Sequence, residues 1–108
     1  MNKTIETHTS KPEGFTEGVQ ISACYLEIDG RILLLQAAFG KREPGTWGVP
    51  AGKLEAGELP KQAAQRELFE ETGIQVDLSR IQFLGTLYMQ RPDLCYSYHM
   101  FRILIAHK

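Results

Sequence analysis

Three glutamates are grouped in residues 60–72, a segment rich in helix-forming residues. On an ideal helix Glu71 lies at roughly 40° and Glu70 at roughly −60° from Glu67, so the three carboxylates share one face. Like charges at these spacings repel, and a single flanking Arg66 is expected to neutralise only one of them. Hard oxygen ligands grouped in this way suit Mg²⁺ or Mn²⁺. The spacing indicates a divalent metal site, and a solvated acidic helix face is the alternative.

The helix that would carry these acids has recognisable ends. Pro60 suits the first turn, where its missing N–H needs no partner, and Gly73 is a typical residue just beyond the last turn. Ala64 and Leu68 lie at about 60° and 100° on the same helical wheel, beside the acidic stripe. The acids therefore lie at the border of the face that is predicted to be buried.

The remaining segments predict strands around this helix. Residues 19–28 are rich in β-forming residues, and Asp29-Gly30 is a favoured hairpin turn. The apolar run in 31–38 predicts a returning strand that is buried on both faces. Further strands are expected in 47–51, 81–90 and 96–105, the last two as an antiparallel pair. The order β-β-(β)-α-β-β predicts a mixed α/β domain over residues 18–108, preceded by a loose polar arm, 1–17.

Composition excludes several classes of protein. The 108 residues fit one domain, and a net charge of −1 argues against nucleic acid or a membrane surface as a partner. No apolar stretch resembles a signal peptide or reaches the ~18 residues of a membrane span, so a cytoplasmic location is the default expectation. Cys24 and Cys95 lie in apolar surroundings and are expected to be buried thiols rather than a disulfide.

A longer pattern surrounds the glutamates. Residues 52–74 fit G-x5-E-x7-R-E-U-x-E-E-x-G-U, with U an aliphatic residue, at every position: Gly52, Glu58, Arg66, Glu67, Leu68, Glu70, Glu71, Gly73 and Ile74. Chance agreement is on the order of 10⁻⁹ per starting position at average residue usage. This pattern is the Nudix box, and the preceding "WGVPAG" also resembles the approach to the box in that family. The chain resembles a Nudix hydrolase.

The resemblance implies a fold and an activity. The expected fold is the Nudix α/β/α sandwich with a mixed sheet, here without the usual C-terminal helix. The expected reaction is Mg²⁺- or Mn²⁺-dependent hydrolysis of a nucleoside diphosphate linked to another group, so the partner is a small nucleotide. The alternative is a Nudix-fold nucleotide-binding or regulatory module with impaired catalysis. The uncovered sheet face leaves a homodimer, or a C-terminally incomplete domain, open.

The resemblance also implies roles for individual residues. The metal ligands would be Glu67, Glu70, Glu71 and the carbonyl of Gly52, with Glu67, Glu70 and Arg66 as the catalytic group. Glu67 would also orient or deprotonate the attacking water, while Arg66 would hold the glutamates by hydrogen bonds. Glu58 would fix the junction between loop and helix, and Gly52 and Gly73 would serve backbone geometry.

Residues outside this pattern are assigned by weighing alternatives. Lys53, the second residue of the box, and Arg42, before it, are candidates for binding substrate phosphate. Trp47 could stack on a base, although packing beneath the glycine-rich loop is favoured. His99, within an apolar strand, is expected to be structural. Asp93 is the one acid after Asp77, so the identity of the general base stays open.

Overall fold

The computed structural model describes residues 5–36 and 46–105. Within them the strands are β1 (Glu6–His8), β2 (Val19–Ile28), β3 (Arg31–Ile32), β4 (Leu35–Gln36), β5 (Trp47–Gly48), β6 (Ala51–Lys53), β7 (Gln82–Gln90) and β8 (Cys95–Ile105), and the helix α1 is Pro60–Thr72. A short 3₁₀ turn, Leu78–Arg80, precedes β7. The predicted order of elements around the helix is confirmed.

One mixed sheet forms the centre of the molecule. Strand β2 runs parallel to β8, and β7 pairs antiparallel with the other edge of β8. On its opposite side β2 pairs antiparallel with β6 near its start and with β3 near its end. Strands β4 and β5 form a separate two-stranded ladder. The predicted antiparallel pair of the last two long strands is confirmed, as is the α/β class.

Helix α1 covers one face of this sheet. Ala64 and Leu68 are fully buried and contact a core that includes Cys24, Leu26 and Phe101. Burial of each large apolar side chain contributes about 1.5–3 kcal/mol, which fixes the side of the helix that faces the sheet. The described residues contain no other α-helix, and no helix long and apolar enough to cross a membrane.

Two segments differ from the expectation. Residues 6–8, predicted within a loose arm, form β1, because the outer edge of β7 offers unpaired backbone groups to them. The returning strand is interrupted: β3 pairs with β2 over two residues only, and the chain then enters the β4–β5 ladder. Ile32 and Leu34 are about half exposed, so the predicted burial on both faces is wrong. Residues 37–38 of that prediction lie outside the described ranges.

Candidate metal centre

The acidic face of α1 lies against strand β6. The β2–β6 ladder places Gly52 opposite Ser22, and the Ser22 hydroxyl donates a 2.7 Å hydrogen bond to the carbonyl of Pro60 at the start of the helix. The apolar stripe then orients α1 so that Glu67 is directed toward Gly52. Glu67 is 8% exposed, which is unusual for a carboxylate and requires a polar partner nearby.

Gly52 leaves the space that the Glu67 carboxylate occupies. A Cβ atom at position 52 would lie 2.1 Å from Oε2 and 2.2 Å from Cδ of Glu67. The backbone of Gly52 is outside the left-handed region, so its conformation does not demand glycine. The expected role of Gly52 in backbone geometry is therefore corrected: this position requires glycine because any side chain would collide with the acid.

Arg66 connects the acidic groups. Its Nη1 donates to Glu67 Oε2 at 2.8 Å and to Glu70 Oε1 at 3.2 Å, while Nε and Nη2 donate to the two oxygens of Glu58 at 2.8 and 2.9 Å. Nη2 also donates to the carbonyl of Lys53 at 3.0 Å. The planar fork of Arg66 thus forms hydrogen bonds with three carboxylates, although its single positive charge can offset only one negative charge.

The fork of hydrogen bonds shifts two pKa values. The bonds from Arg66 hold the pKa of Glu58 below its usual value, and the accepting carboxylates, Glu58 first, raise the pKa of Arg66. Glu58 also accepts a 2.9 Å hydrogen bond from the N–H of Glu55, in the loop before the helix. Glu58 therefore joins this loop to the middle of α1, in agreement with its expected position at the junction.

The third acid of the helix has a different partner. Glu71 Oε2 accepts a 3.2 Å hydrogen bond from the N–H of Ala51, one residue before Gly52. In contrast to Glu67, the Glu70 side chain is 52% exposed. Glu67 and Glu71 thus contact β6, whereas Glu70 extends into solvent from the same face of the helix.

The donor set suits a hard divalent cation, although the ligands are not gathered. Within residues 5–36 and 46–105, no three acidic, histidine or cysteine side chains form a metal-binding group. The guanidinium of Arg66 instead lies within hydrogen-bond distance of both Glu67 and Glu70. Mg²⁺ needs only one or two carboxylates and completes its shell with water and phosphate oxygens. The residues present therefore fit such an ion, provided that Arg66 releases one carboxylate.

The other residues predicted from the sequence are Lys53, Gly73, Asp93 and Arg42. Lys53 is exposed in β6, one residue after Gly52, and its backbone carbonyl accepts the bond from Arg66. Gly73 ends α1 with φ of 78° and donates its N–H to Phe69, as its expected role in geometry requires. Asp93 lies in the turn between β7 and β8, across β2 from β6, and pairs with Arg91, so the structure does not bring it to the acids. Arg42 lies outside the described residues.

His99 and Trp47, for which the sequence left alternatives open, have defined surroundings in the structure. The two ring nitrogens of His99 form hydrogen bonds with the Thr86 hydroxyl at 2.8 Å and with Gln20 Oε1 at 2.9 Å. Burial lowers the pKa of His99, in line with a structural role. Trp47 is 61% exposed, so the favoured interpretation, packing beneath the loop, is wrong. Among the described residues, its strand β5 pairs with the two-residue β4 alone.

Sequence reasoning missed the backbone groups of the site. The N–H of Ala51 and the carbonyl of Lys53 flank Gly52 and bind Glu71 and Arg66. Because every residue has such groups, only the fold shows which of them face the helix. The space beside Gly52 had one signal in the sequence, a glycine within a strand, which often marks a close approach.

Known proteins are similar to this chain over most of its length. The family model of the NUDIX domain matches residues 17–106. A diphosphoinositol polyphosphate phosphohydrolase 3-alpha of Mus musculus is 32% identical over 104 residues, which are 96% of this chain and 60% of the relative. The chain thus spans less than two thirds of that relative.

Solved structures show the same fold. An Ap4A hydrolase of C. elegans superposes with a TM-score of 0.63 at 25% identity, over 82% of this chain and 69% of the other. A pyrophosphohydrolase of Bacillus subtilis superposes with a TM-score of 0.69 at 21% identity, over 95% of this chain and 60% of the other. The second likeness shows the fold alone.

Proposed function

The chain belongs to the Nudix family, and from this premise we propose that it hydrolyses a phosphoanhydride bond in a nucleoside diphosphate linked to another group, with Mg²⁺ or Mn²⁺. The observation that carries the proposal is the contact of α1 with the strand that contains Gly52, where Glu67 lies against Gly52 and Glu71 accepts a hydrogen bond from the N–H of Ala51. Three acids on one helix face repel one another, and a divalent cation with a diphosphate above them would offset that repulsion.

The cation would be held by the three helix carboxylates and the carbonyl of Gly52. When bound, such an ion neutralises charge on phosphate oxygens and lowers the pKa of bound water. The exposed Glu70 lies where solvent and substrate have access, whereas Glu67 is enclosed between α1 and β6. Glu67 is our candidate for orienting or deprotonating the attacking water.

Arg66 would position the acids without contacting the substrate. Its two bonds to Glu58 are made on the side of the guanidinium away from Glu67 and Glu70. Glu58 would therefore keep Arg66 in place when a cation attracts the helix carboxylates. Loss of such a supporting partner typically lowers metal affinity or activity 10–100-fold.

The substrate class follows from the relatives only as a proposal. The mouse relative is named for diphosphoinositol polyphosphate and the C. elegans structure for Ap4A, and both names describe phosphoanhydrides. Lys53, exposed in β6 and adjacent to Gly52 in the chain, could bind an oxygen of such a phosphate chain, and Arg42 is a second candidate. We place nucleotide derivatives first among these substrates.

A second candidate function is a nucleotide-binding module without turnover. Two observations favour it: Arg66 holds Glu67 and Glu70, and within the described residues no three acidic, histidine or cysteine side chains form a metal-binding group. Such a module would bind the same ligands, but the water would lack a base and a completed metal shell.

A panel of nucleotides separates the two functions. Phosphate release, coupled to a phosphatase or pyrophosphatase, would be measured for nucleoside triphosphates, nucleotide sugars and dinucleoside polyphosphates with and without Mg²⁺. We expect metal-dependent release from at least one class and its loss in Glu71→Gln, with the fold retained by circular dichroism. Release that continues unchanged in Glu71→Gln would refute the metal assignment. Saturable binding with no product under Mg²⁺ or Mn²⁺ would establish the binding module instead.

A further inference from the structure

Ser22 is a fully buried serine on the face of β2 that α1 covers. Its hydroxyl donates a 2.7 Å hydrogen bond to the carbonyl of Pro60, in the first turn of the helix. A buried hydroxyl without a partner is costly, so this bond commits Ser22 to α1. Ser22 thus links the sheet to the start of the helix by one directed bond.

The helix does not need this bond for its own backbone. At the start of an α-helix the groups that lack an intrahelical partner are the N–H groups, whereas each carbonyl there accepts from the N–H four residues later. An alanine at position 22 would fill nearly the same space and bring no polar atom that needs a partner. The effect that remains for the bond is to fix where α1 begins on β2.

Ser22 lies opposite Gly52 in the β2–β6 ladder. Pro60 and Glu67 are seven residues, or about two helical turns, apart, so they lie on the same side of α1. The Glu67 carboxylate occupies the space beside Gly52 that a Cβ atom would need. One rung of the ladder therefore contacts one side of the helix twice, at its start and two turns later.

A second attachment joins the middle of α1 to the same strands. The peptide group between Lys53 and Leu54 donates its N–H to the carbonyl of Gln20 in β2 at 3.0 Å. The carbonyl of that peptide group accepts a 3.0 Å hydrogen bond from Nη2 of Arg66. Directed bonds therefore hold α1 to the sheet both at its start and at its middle, and they limit how far the helix can slide or rotate over its apolar contacts.

Resting on the proposed function, we propose that Ser22 is a positioning residue for the metal centre. Its bond to Pro60 sets the gap between α1 and β6 in which Glu67 lies, and it acts through the backbone of the helix. When a cation attracts the helix carboxylates, a helix that is held at its start keeps their spacing from the Gly52 carbonyl. A displacement of about 1 Å at a reacting group can lower a rate about 100-fold, so this gap matters for the chemistry as well as for stability.

A double-mutant cycle tests the gap without metal or substrate. If Ser22 holds α1 against β6, the helix can move outward in Ser22→Ala, and the collision that Gly52→Ala introduces then costs less. We expect the losses of the free energy of unfolding in these two variants to be less than additive, in urea with a chelator. The control is Ser97→Ala, which removes a buried hydroxyl that binds Glu17 instead of α1 and should add fully to Gly52→Ala. Additive losses for the Ser22 pair would overturn the inference.

Metal affinity separates positioning from a general loss of stability. Calorimetric titration with Mn²⁺ should show an affinity lowered about 10- to 100-fold in Ser22→Ala and unchanged in Ser97→Ala. Ser22→Cys is the second variant, because a thiol fills the site but is a weak donor, and it should show the same loss even where Ser22→Ala fails to fold. Wild-type Mn²⁺ affinity in either folded Ser22 variant would overturn the inference, and so would an equal loss of affinity in Ser97→Ala.

The inference and the proposed function fail in different ways. Less-than-additive losses, in a protein that hydrolyses no member of the nucleotide panel, would leave the role of Ser22 in the gap standing and refute hydrolysis. Metal-dependent hydrolysis with wild-type kcat and wild-type Mn²⁺ affinity in Ser22→Ala would establish the enzyme and refute the positioning role.

Discussion

Replacement of Gly52 by alanine tests the close approach between β6 and α1. The new Cβ would lie 2.1 Å from Glu67 Oε2, so the carboxylate must move away. Glu67 is buried, and the displacement would break its 2.8 Å hydrogen bond from Arg66. A charge-assisted bond of this kind contributes about 1.5–3 kcal/mol. We therefore expect Gly52→Ala to lower the free energy of unfolding by about 2 kcal/mol, and Tm by roughly 8–16 °C.

A double-mutant cycle shows whether the carboxylate is the cause. The nearest atoms to the added Cβ all belong to Glu67, and the backbone conformation at Gly52 does not require glycine. In a Glu67→Ala background, Gly52→Ala should be neutral or stabilising by up to about 1 kcal/mol, because alanine restricts the unfolded chain. Urea unfolding in the presence of a chelator measures all four proteins. The same loss of stability in both backgrounds would refute the steric argument.

Three further predictions concern packing and charge. Leu68→Ala should lower the free energy of unfolding by about 2–5 kcal/mol because Leu68 is fully buried. Phe69→Ala, at a half-exposed position, should lower it far less, and urea titrations of the two variants measure the difference. Burial lowers the pKa of His99 in the folded protein, so as pH falls below about 6.5 this histidine is protonated in the unfolded chain before it is protonated in the folded one. The free energy of unfolding of wild type should therefore fall more between about pH 6.5 and about pH 5 than that of His99→Gln, as urea titrations at each pH would show. Because the pKa of Glu58 is lowered in the folded protein, its contribution to the free energy of unfolding is complete above about pH 4.3 and is lost in stronger acid. Glu58→Gln should therefore lower the free energy of unfolding by about 1–3 kcal/mol at neutral pH, and the difference from wild type should shrink in acid. A difference that persists in acid would contradict the pairing with Arg66.

Local signals in the sequence predicted the helix and most of the sheet. Pro60 and Gly73 mark the ends of α1, and the period of Ala64 and Leu68 shows which side is buried. These features depend on neighbours along the chain, which a sequence displays directly. The long strands likewise follow from runs of β-forming residues.

Features that depend on distant partners could not be predicted. Strand β1 exists because β7 offers an edge, and the apolar run after Arg31 is left half exposed because β3 ends after one further residue. In the site, the shared face of the three acids followed from helical spacing. The reach of Arg66 to Glu58 and to the carbonyl of Lys53 depends on how the loop before α1 folds back, which spacing does not encode.

The central claim is that the acids of α1 hold a divalent cation, and calorimetric titration with Mn²⁺ tests it most directly. Wild type would be compared with Glu70→Gln and with Glu13→Gln, a matched change at an exposed acid outside the box. We predict saturable Mn²⁺ binding in wild type and Glu13→Gln, and affinity reduced at least about tenfold in Glu70→Gln. Equal Mn²⁺ affinity in all three proteins would contradict the claim.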